Sequence, residues 1–428
     1  MKITTRRGFL KGVAALGAGL AAGPFAAPAL AQARPKVVII GGGPGGLTVL
    51  RELIKESGAG FDIILVEAQE TYTTCFYSNL YLGGFQPIEN LTFNYGVVAK
   101  LPHVTLARDI ASSIDRERRE VALQGGARLP YDRLVMAPGI DLDYGSVPGW
   151  SAAAEERMPH AWKAGAQTRL LKRQIDAVPD GGLIVMIAPP SPYRCPPGPY
   201  ERASMMAHAL QSAGKTRTKI IILDPKERFS KQGLFQAGWE KYYPGVIEWL
   251  PQSIHGGIQS VDPASMTVAT IFEIYANAAL VNVIPRQTAG RIARDAGLTN
   301  EQGYCPIDPF TMASRMDQAV FVVGDACIPG DMPKSAFSAA SQARSAASVI
   351  RAGLTGQAAP ALAYDNTCWS LIAADDSVKV GGTYGPTDEK IAERSAFLST
   401  PEESAEIRRK TYVESAAWYS SLTTEMFL

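Results

Sequence analysis

What this 428-residue chain lacks narrows its function first. No stretch is long and apolar enough to span a bilayer, which takes about 20 residues, so no integral membrane anchor is expected. Neither charge is in excess. A formal net charge of +1 gives no footprint for nucleic acid and no polybasic membrane patch. Histidine is scarce, and His103, His160, His208 and His255 do not show metal-ligand spacing, so no metal site is expected. There is no C-x-x-C-H, so the chain carries no c-type haem of its own.

What is present describes a folded protein with large cores: hydrophobic content is 46% and charged content 19%. The first thirty-odd residues stand apart. Arg6 and Arg7 precede an Ala/Gly-rich apolar stretch that is broken by Pro24 and ends at Ala29-Leu30-Ala31. Residues 1–31 read as a twin-arginine export signal, and the expected location is the periplasm. That compartment permits disulfides. The cysteines are Cys75, Cys195, Cys305, Cys327 and Cys368, an odd number, so at least one is unpaired or has another covalent partner.

"KVVIIGGGPGGLTVLREL" follows the signal. Val37 to Ile40 predicts a buried parallel strand, and Gly41-x-Gly43-x-x-Gly46 leads into a helix from Leu47. These glycines permit a tight turn, close approach of backbone to a pyrophosphate, and close packing of helix on strand. The helix N-terminus offers unpaired N–H groups to phosphates. A second strand, "FDIILVE", ends in Glu67, a carboxylate able to accept both hydroxyls of an adenosine ribose.

Two later segments specify FAD rather than NAD. "YDRLVMAPGI", residues 131 to 140, resembles a strand-turn segment of two-dinucleotide flavoproteins, with Pro138 replacing their threonine. "AVFVVGDAC", residues 319 to 327, resembles their second flavin-binding segment, which implies that Asp325 bonds the ribityl chain. A helix is expected from about Ser335, its N-terminus toward the negative charge of a reduced flavin, with Lys334 helping to hold that charge.

Strand "GLIVMIA", helix "YERASMMAHALQSAG" and strand "KIIILD" then give a second β-α-β unit. A glycine loop should join its first strand and helix. The chain has "PPSPYRCPPGP" instead. Proline has no N–H to offer a phosphate, so NAD(P)H is not expected to bind there. Glu201, in the first turn of the helix, is either a proton-exchanging group or a carboxylate favoured by the helix dipole.

"RCPPGPYERA", "YTTCFYSN" and "YDNTCWSLI" closely resemble the flavoprotein subunit of flavocytochrome c sulfide dehydrogenase, and the resemblance runs through essentially the whole mature chain. Sulfide:quinone oxidoreductases are more distant relatives. The resemblance implies a redox-active disulfide between Cys195 and Cys368 beside the flavin, and a thioether from Cys75 to FAD. It implies sulfide as substrate and a separate c-type cytochrome subunit as heterodimer partner. An inert staple is the competing reading for the cysteine pair, and a buried free thiol for Cys75. Trp369, Trp418 and Tyr419 are candidates either for the partner surface or for the core. Cys305 and Cys327 receive no role.

The expected fold is α/β: two Rossmann-like nucleotide-binding domains of the glutathione-reductase-like type plus a C-terminal α+β interface segment. The FAD-binding domain comprises residues 34–150 and 286–355. The second Rossmann-like domain, without its glycine loop, is 151–285, and the interface segment is 356–428. Three alternatives stand beside a sulfide:cytochrome c oxidoreductase: a sulfide:quinone oxidoreductase, an NAD(P)H-dependent reductase, and an accessory flavoprotein of a sulfur-oxidation system.

Overall fold

The computed structural model describes residues 34–57 and 60–428. The export signal expected at 1–31 lies outside the described residues.

The first layer is a sheet of six strands, in the order Ala313–Ser314, Asp317–Val322, Arg133–Met136, Lys36–Ile40, Asp62–Val66 and Val104–Ala107. All neighbours are parallel except the short edge strand Ala313–Ser314. A parallel strand covered on both faces must be apolar throughout. Val37, Val38 and Ile39 meet that demand and have no exposed surface. Residues 313–322 thus complete a sheet begun before residue 137, and the second α/β unit lies between them in sequence.

The glycine-loop helix runs from Pro44 to Ser57. It opens earlier than the expected Leu47, because proline's missing N–H costs nothing in a first turn. It packs on the helix Ala336–Thr355. Ala339, Ala340, Ala343, Ala346 and Ala347 are all buried in that second helix, and their small side chains let the two axes approach closely.

The second layer is a parallel sheet of four strands: Ile247–Pro251, Lys219–Asp224, Leu183–Ile187 and Leu280–Val283. Helix Gly198–Ser212 follows Leu183–Ile187 through the proline-rich loop. Its strands and helices bury their own core, from Leu171 through Tyr200 to Ile284.

The C-terminal segment is an antiparallel sheet, Tyr364–Ala373, Asp376–Pro386 and Ile391–Leu398, followed by helix Ala405–Phe427. It belongs to both cores. Tyr364, Leu422, Met426 and Phe427 pack into the first, and Ile372, Ala373 and Val378 into the second. One contact ties it to the second layer with little slack: a Cβ at Gly238, in helix Gln232–Tyr242, would stand 2.4 Å from Ile372 Cγ2.

Overpacking a close-fitted contact of this kind costs about 1–3 kcal/mol. Gly238→Ala is therefore expected to lower the thermal midpoint of the purified protein while leaving its far-UV circular dichroism intact. An unchanged midpoint would show that Ile372 and the helix can separate freely.

Candidate functional site

A cavity of about 660 Å³ runs between these layers, from the glycine loop at one end to Cys195 and Cys368 at the other. At the loop, Gly46 is compulsory, because a Cβ there would fall 1.9 Å from the Gly41 carbonyl oxygen. Gly41 has φ +101, and a Cβ would fall 2.3 Å from the Ala137 carbonyl oxygen. Gly43 differs: it lines the cavity, and a Cβ there would make only ordinary contact with the Tyr72 ring, 3.6 Å from its Oη. Glu67 lines the same end. Its Oε2 accepts from the Gly42 N–H at 2.9 Å and its Oε1 from the Gln69 N–H at 2.9 Å. The carboxylate thereby fixes the loop and keeps lone pairs for ribose hydroxyls.

Asp325 also lines the cavity. Its Oδ2 pairs with Arg194 Nη1 at 3.3 Å, while Oδ1 is buried without a partner. Trp162 Nε1 and Trp369 Nε1, from the same walls, are also buried without partners. A buried polar atom left unpaired costs about 1–3 kcal/mol, so one acceptor and two donors around one cavity mark the outline of a polar ligand. Ser335 caps the helix Ala336–Thr355, its Oγ accepting from the Ser338 N–H at 3.0 Å, and Ser335 to Phe337 line the cavity with the helix's positive end. Glycine loop, orphaned polar atoms and helix end together fit FAD. Gly41, Gly43, Gly46, Glu67 and Asp325 would hold it.

Lys334 does not join them, which corrects its assignment from the sequence. Its ammonium donates to the carbonyls of Asp325 and Cys327 and lies over the Tyr304 ring, 4.0 Å from the centroid. The turn before Ser335 sends the side chain away from the cavity. Only its backbone serves the site, the Lys334 carbonyl accepting from the Cys195 N–H at 2.8 Å.

Cys75, Cys195 and Cys368 all line this one cavity, from three distant parts of the chain. All five cysteines stand as free thiols in this structure. Cys195 is held at φ +56, a left-handed conformation unusual for a residue with a Cβ. Its carbonyl accepts from the Gly198 N–H at 2.8 Å. A Cβ at Gly198 would be 2.9 Å from Cys195 Sγ and 2.9 Å from the Trp162 ring, so only glycine lets the helix start this close to the sulfur. On the facing strand, Asn366 Nδ2 is 3.5 Å from Cys368 Sγ. Burial pushes both the Cys195 and Cys368 thiols above their usual range. Cys305 and Cys327 are Cα partners in a short parallel ladder inside the first core, where burial raises them to about 12 and about 11.

Glu201 reaches the cavity from the first turn of helix Gly198–Ser212. Asn79 Nδ2 donates to Oε2 at 2.8 Å and the Leu371 N–H to Oε1 at 2.9 Å. Burial raises its carboxyl above the usual range, against those two hydrogen bonds and the cations Lys231 and Arg202. Glu201 thus ties the helix behind Cys195 to the strand bearing Cys368.

Trp369 and Trp418 are half-buried cavity walls that pack on each other and on Phe337, with centroids 5.2, 6.1 and 5.7 Å apart. Tyr419 is 7% exposed and stacks on Tyr77. Tyr419 thus belongs to the core, while Trp369 and Trp418 line the cavity with part of their surface exposed. Charge balance within the site draws on residues to which the sequence reading gave no role. Arg194 adjoins the quoted cysteine. Arg202 is 2% exposed and donates to Asn79, His160, Ala161 and Asn282. A lone arginine beside Ala203, Met205, Met206 and Ala207, all buried, was the available signal. Lys231 has no such local signal.

The fold and the site define a flavin-dependent oxidoreductase of the two-dinucleotide-binding class. The family model for pyridine nucleotide-disulphide oxidoreductases matches residues 35–173. Two models of the flavocytochrome c sulfide dehydrogenase flavoprotein also match: the central one over residues 168–285 and the flavin-binding one over 360–427. Mitochondrial sulfide:quinone oxidoreductase of Mus musculus is 20% identical over 333 residues, 72% of this chain and 69% of that protein. Among solved structures, sulfide:quinone oxidoreductase from Aquifex aeolicus superposes with TM-score 0.73 at 16% identity, covering 92% of this chain and 91% of the other. NDH2 of Plasmodium falciparum gives TM-score 0.68 at 10% identity, covering 92% and 97%.

Asp325→Ala removes both an ion-pair partner and the orphaned acceptor. The variant is expected to purify with a flavin-to-protein absorbance ratio several-fold below wild type. Full flavin content would show that the Oδ1 position is not part of the flavin site.

Proposed function

We propose that this chain is the periplasmic flavoprotein subunit of a sulfide:cytochrome c oxidoreductase, in which sulfide opens a Cys195–Cys368 disulfide beside FAD. One observation carries this reading: two cysteines far apart in sequence line the cavity that also holds the glycine loop and Asp325.

Hydrosulfide is a soft nucleophile, and disulfide exchange is its ordinary reaction. Its attack forms one sulfur–sulfur bond and breaks another, leaving a persulfide on one cysteine and a thiolate on its partner. No external oxidant is needed for that step. FAD, when bound, supplies the two-electron acceptor for the opened pair. Arg194 and Asp325 keep the wall charged yet neutral in sum. Trp162 and Trp369 line the same cavity as the cysteines. Cys75, on the same cavity, is the residue to which the flavin would be tethered, a device suited to a compartment without a free cofactor pool.

Electron entry through nicotinamide is disfavoured by the second layer. Asp224, at the end of the second strand where a ribose carboxylate would act, is fully buried. It accepts from Tyr200 Oη at 2.6 Å and Trp249 Nε1 at 2.9 Å and pairs with Lys226 at 2.6 Å. The twin-arginine sequence supports export, and the lack of a haem-attachment motif supports a separate cytochrome subunit. Among the described residues no helix is long and apolar enough to cross a membrane. Quinone reduction is the second reading, favoured by the likeness to the Mus musculus enzyme.

Anaerobic titration with sulfide is expected to bleach the flavin of wild-type protein but not of Cys195→Ser. Reoxidation is then expected with a c-type cytochrome and not with a soluble ubiquinone analogue; rapid reoxidation by the quinone alone would favour the second reading. Absence of bleaching in wild type would refute sulfide oxidation by this chain and leave an accessory flavoprotein.

A further inference from the structure

Lys231 is a buried cation that the proposed reaction does not yet use. It is 6% exposed, at φ +63, just before helix Gln232–Tyr242. Its ammonium donates to the Cys368 carbonyl at 3.0 Å and to Ser370 Oγ at 2.8 Å. Among the described residues no carboxylate is hydrogen-bonded to it. A buried ammonium without a paired anion is costly, and desolvation lowers Lys231 to about 8, opposed by Cys368, Glu201 and Cys195 in that order. These are the acidic groups that face it: one on its own side of the strand, one on helix Gly198–Ser212, and one on the proline-rich loop. Arg202, which also acts on Glu201, spends four of its five N–H donors on oxygen acceptors.

The two cysteines are not equivalent toward this charge. Among the groups that lower the Cys368 thiol, Lys231 is foremost, joined by hydrogen bonds from Asn366 and Ser335. Cys195 feels Lys231 last, after Cys368, Glu201 and Cys75, each of which raises it. Access is unequal in the opposite sense: Cys195 is half-buried at the cavity, whereas Cys368 is 9% exposed.

The geometry points to Lys231 as the positioning residue that sets the direction of disulfide opening, by holding the negative charge released on Cys368. This rests on the sulfide reading above. Hydrosulfide attacks the accessible Cys195 sulfur. A bond forms between them, the Cys195–Cys368 bond breaks, and its electron pair stays on Cys368 as a thiolate opposite the Lys231 ammonium. The hydrosulfide proton remains on the new persulfide. Charge is conserved, since one anion enters and one is formed, and opening gives the Lys231 ammonium a second anionic neighbour beside Glu201.

The test is the pH dependence of alkylation of the reduced holoprotein by iodoacetamide, read peptide by peptide by mass spectrometry. It needs no sulfide. In wild type the midpoint for Cys368 is expected below that for Cys195. Lys231→Met is expected to raise the Cys368 midpoint by at least about one pH unit, a tenfold loss of thiolate at fixed pH. Lys231→Arg should restore most of it, and Cys195 should move less. A folded Lys231→Met with an unmoved Cys368 midpoint would overturn the proposal. If that variant does not fold, the wild-type order alone decides, and a lower midpoint at Cys195 overturns it. A brief substoichiometric sulfide pulse on the oxidised protein should add sulfur to the Cys195 peptide. Extra sulfur on Cys368 defeats the proposed direction, while none on either peptide, with the midpoints in the expected order, defeats the sulfide reading instead.

Discussion

The site depends on the attachment of one strand, Cys368 to Ile372, to the second α/β layer. Three side chains from that layer grip its backbone. Glu201 accepts from the Leu371 N–H, Lys231 donates to the Cys368 carbonyl, and Tyr243 Oη donates to the Ile372 carbonyl at 2.9 Å. Two of these grips use ionisable groups, and hydrogen bonds to charged groups contribute about 1.5–3 kcal/mol each. Direction matters as much as strength. A carboxylate can only accept and an ammonium can only donate, so a slip of the strand by one residue would set donor against donor and acceptor against acceptor. Cys368 therefore faces Cys195 at a fixed register although neither cysteine is near the other in sequence.

The same attachment explains why the C-terminal segment divides its apolar residues between two cores. Ile372 and Val378 fill the second while Leu422 and Phe427 fill the first. A segment anchored at both ends closes the cavity between the layers. Its aromatics, Trp369 and Trp418, then become walls of that cavity.

Parts of this were legible in the sequence because their causes are local. Gly41, Gly43 and Gly46 are required by a turn within one strand-helix joint, and the register of Val37–Ile40 beside Asp62–Val66 follows from apolar runs. The proline-rich loop announced a changed site, since proline cannot supply N–H groups to a phosphate. What could not be read depends on contacts across the chain. Asn79, Arg202 and Lys231 meet Glu201 and Cys368 only after both layers are assembled. Lys334 misled for the same reason: its place in sequence, one residue before a helix, suited a flavin-facing cation, but its carbonyl and its ammonium were drawn to different partners.

Loss of a nucleotide loop alone would have left a hole at the carboxyl ends of the second sheet, the place where such sheets bind ligands. The chain reshapes that place in two ways. Asp224 is turned inward to Tyr200 and Trp249, and the loop 191–197 folds over so that Tyr193 Oη reaches the Pro196 carbonyl at 2.8 Å. The loop leaves a cavity of about 600 Å³ lined by Tyr193, Pro196 and Lys226. It also places Cys195 at the start of a helix whose first turn carries Glu201. A scaffold that once needed phosphate-binding N–H groups at this helix end now presents a sulfur there. Burial and the neighbouring Cys368 and Glu201 hold that thiol above its usual range, so the cation that serves the cysteine pair is Lys231, beside Cys368, rather than the helix end.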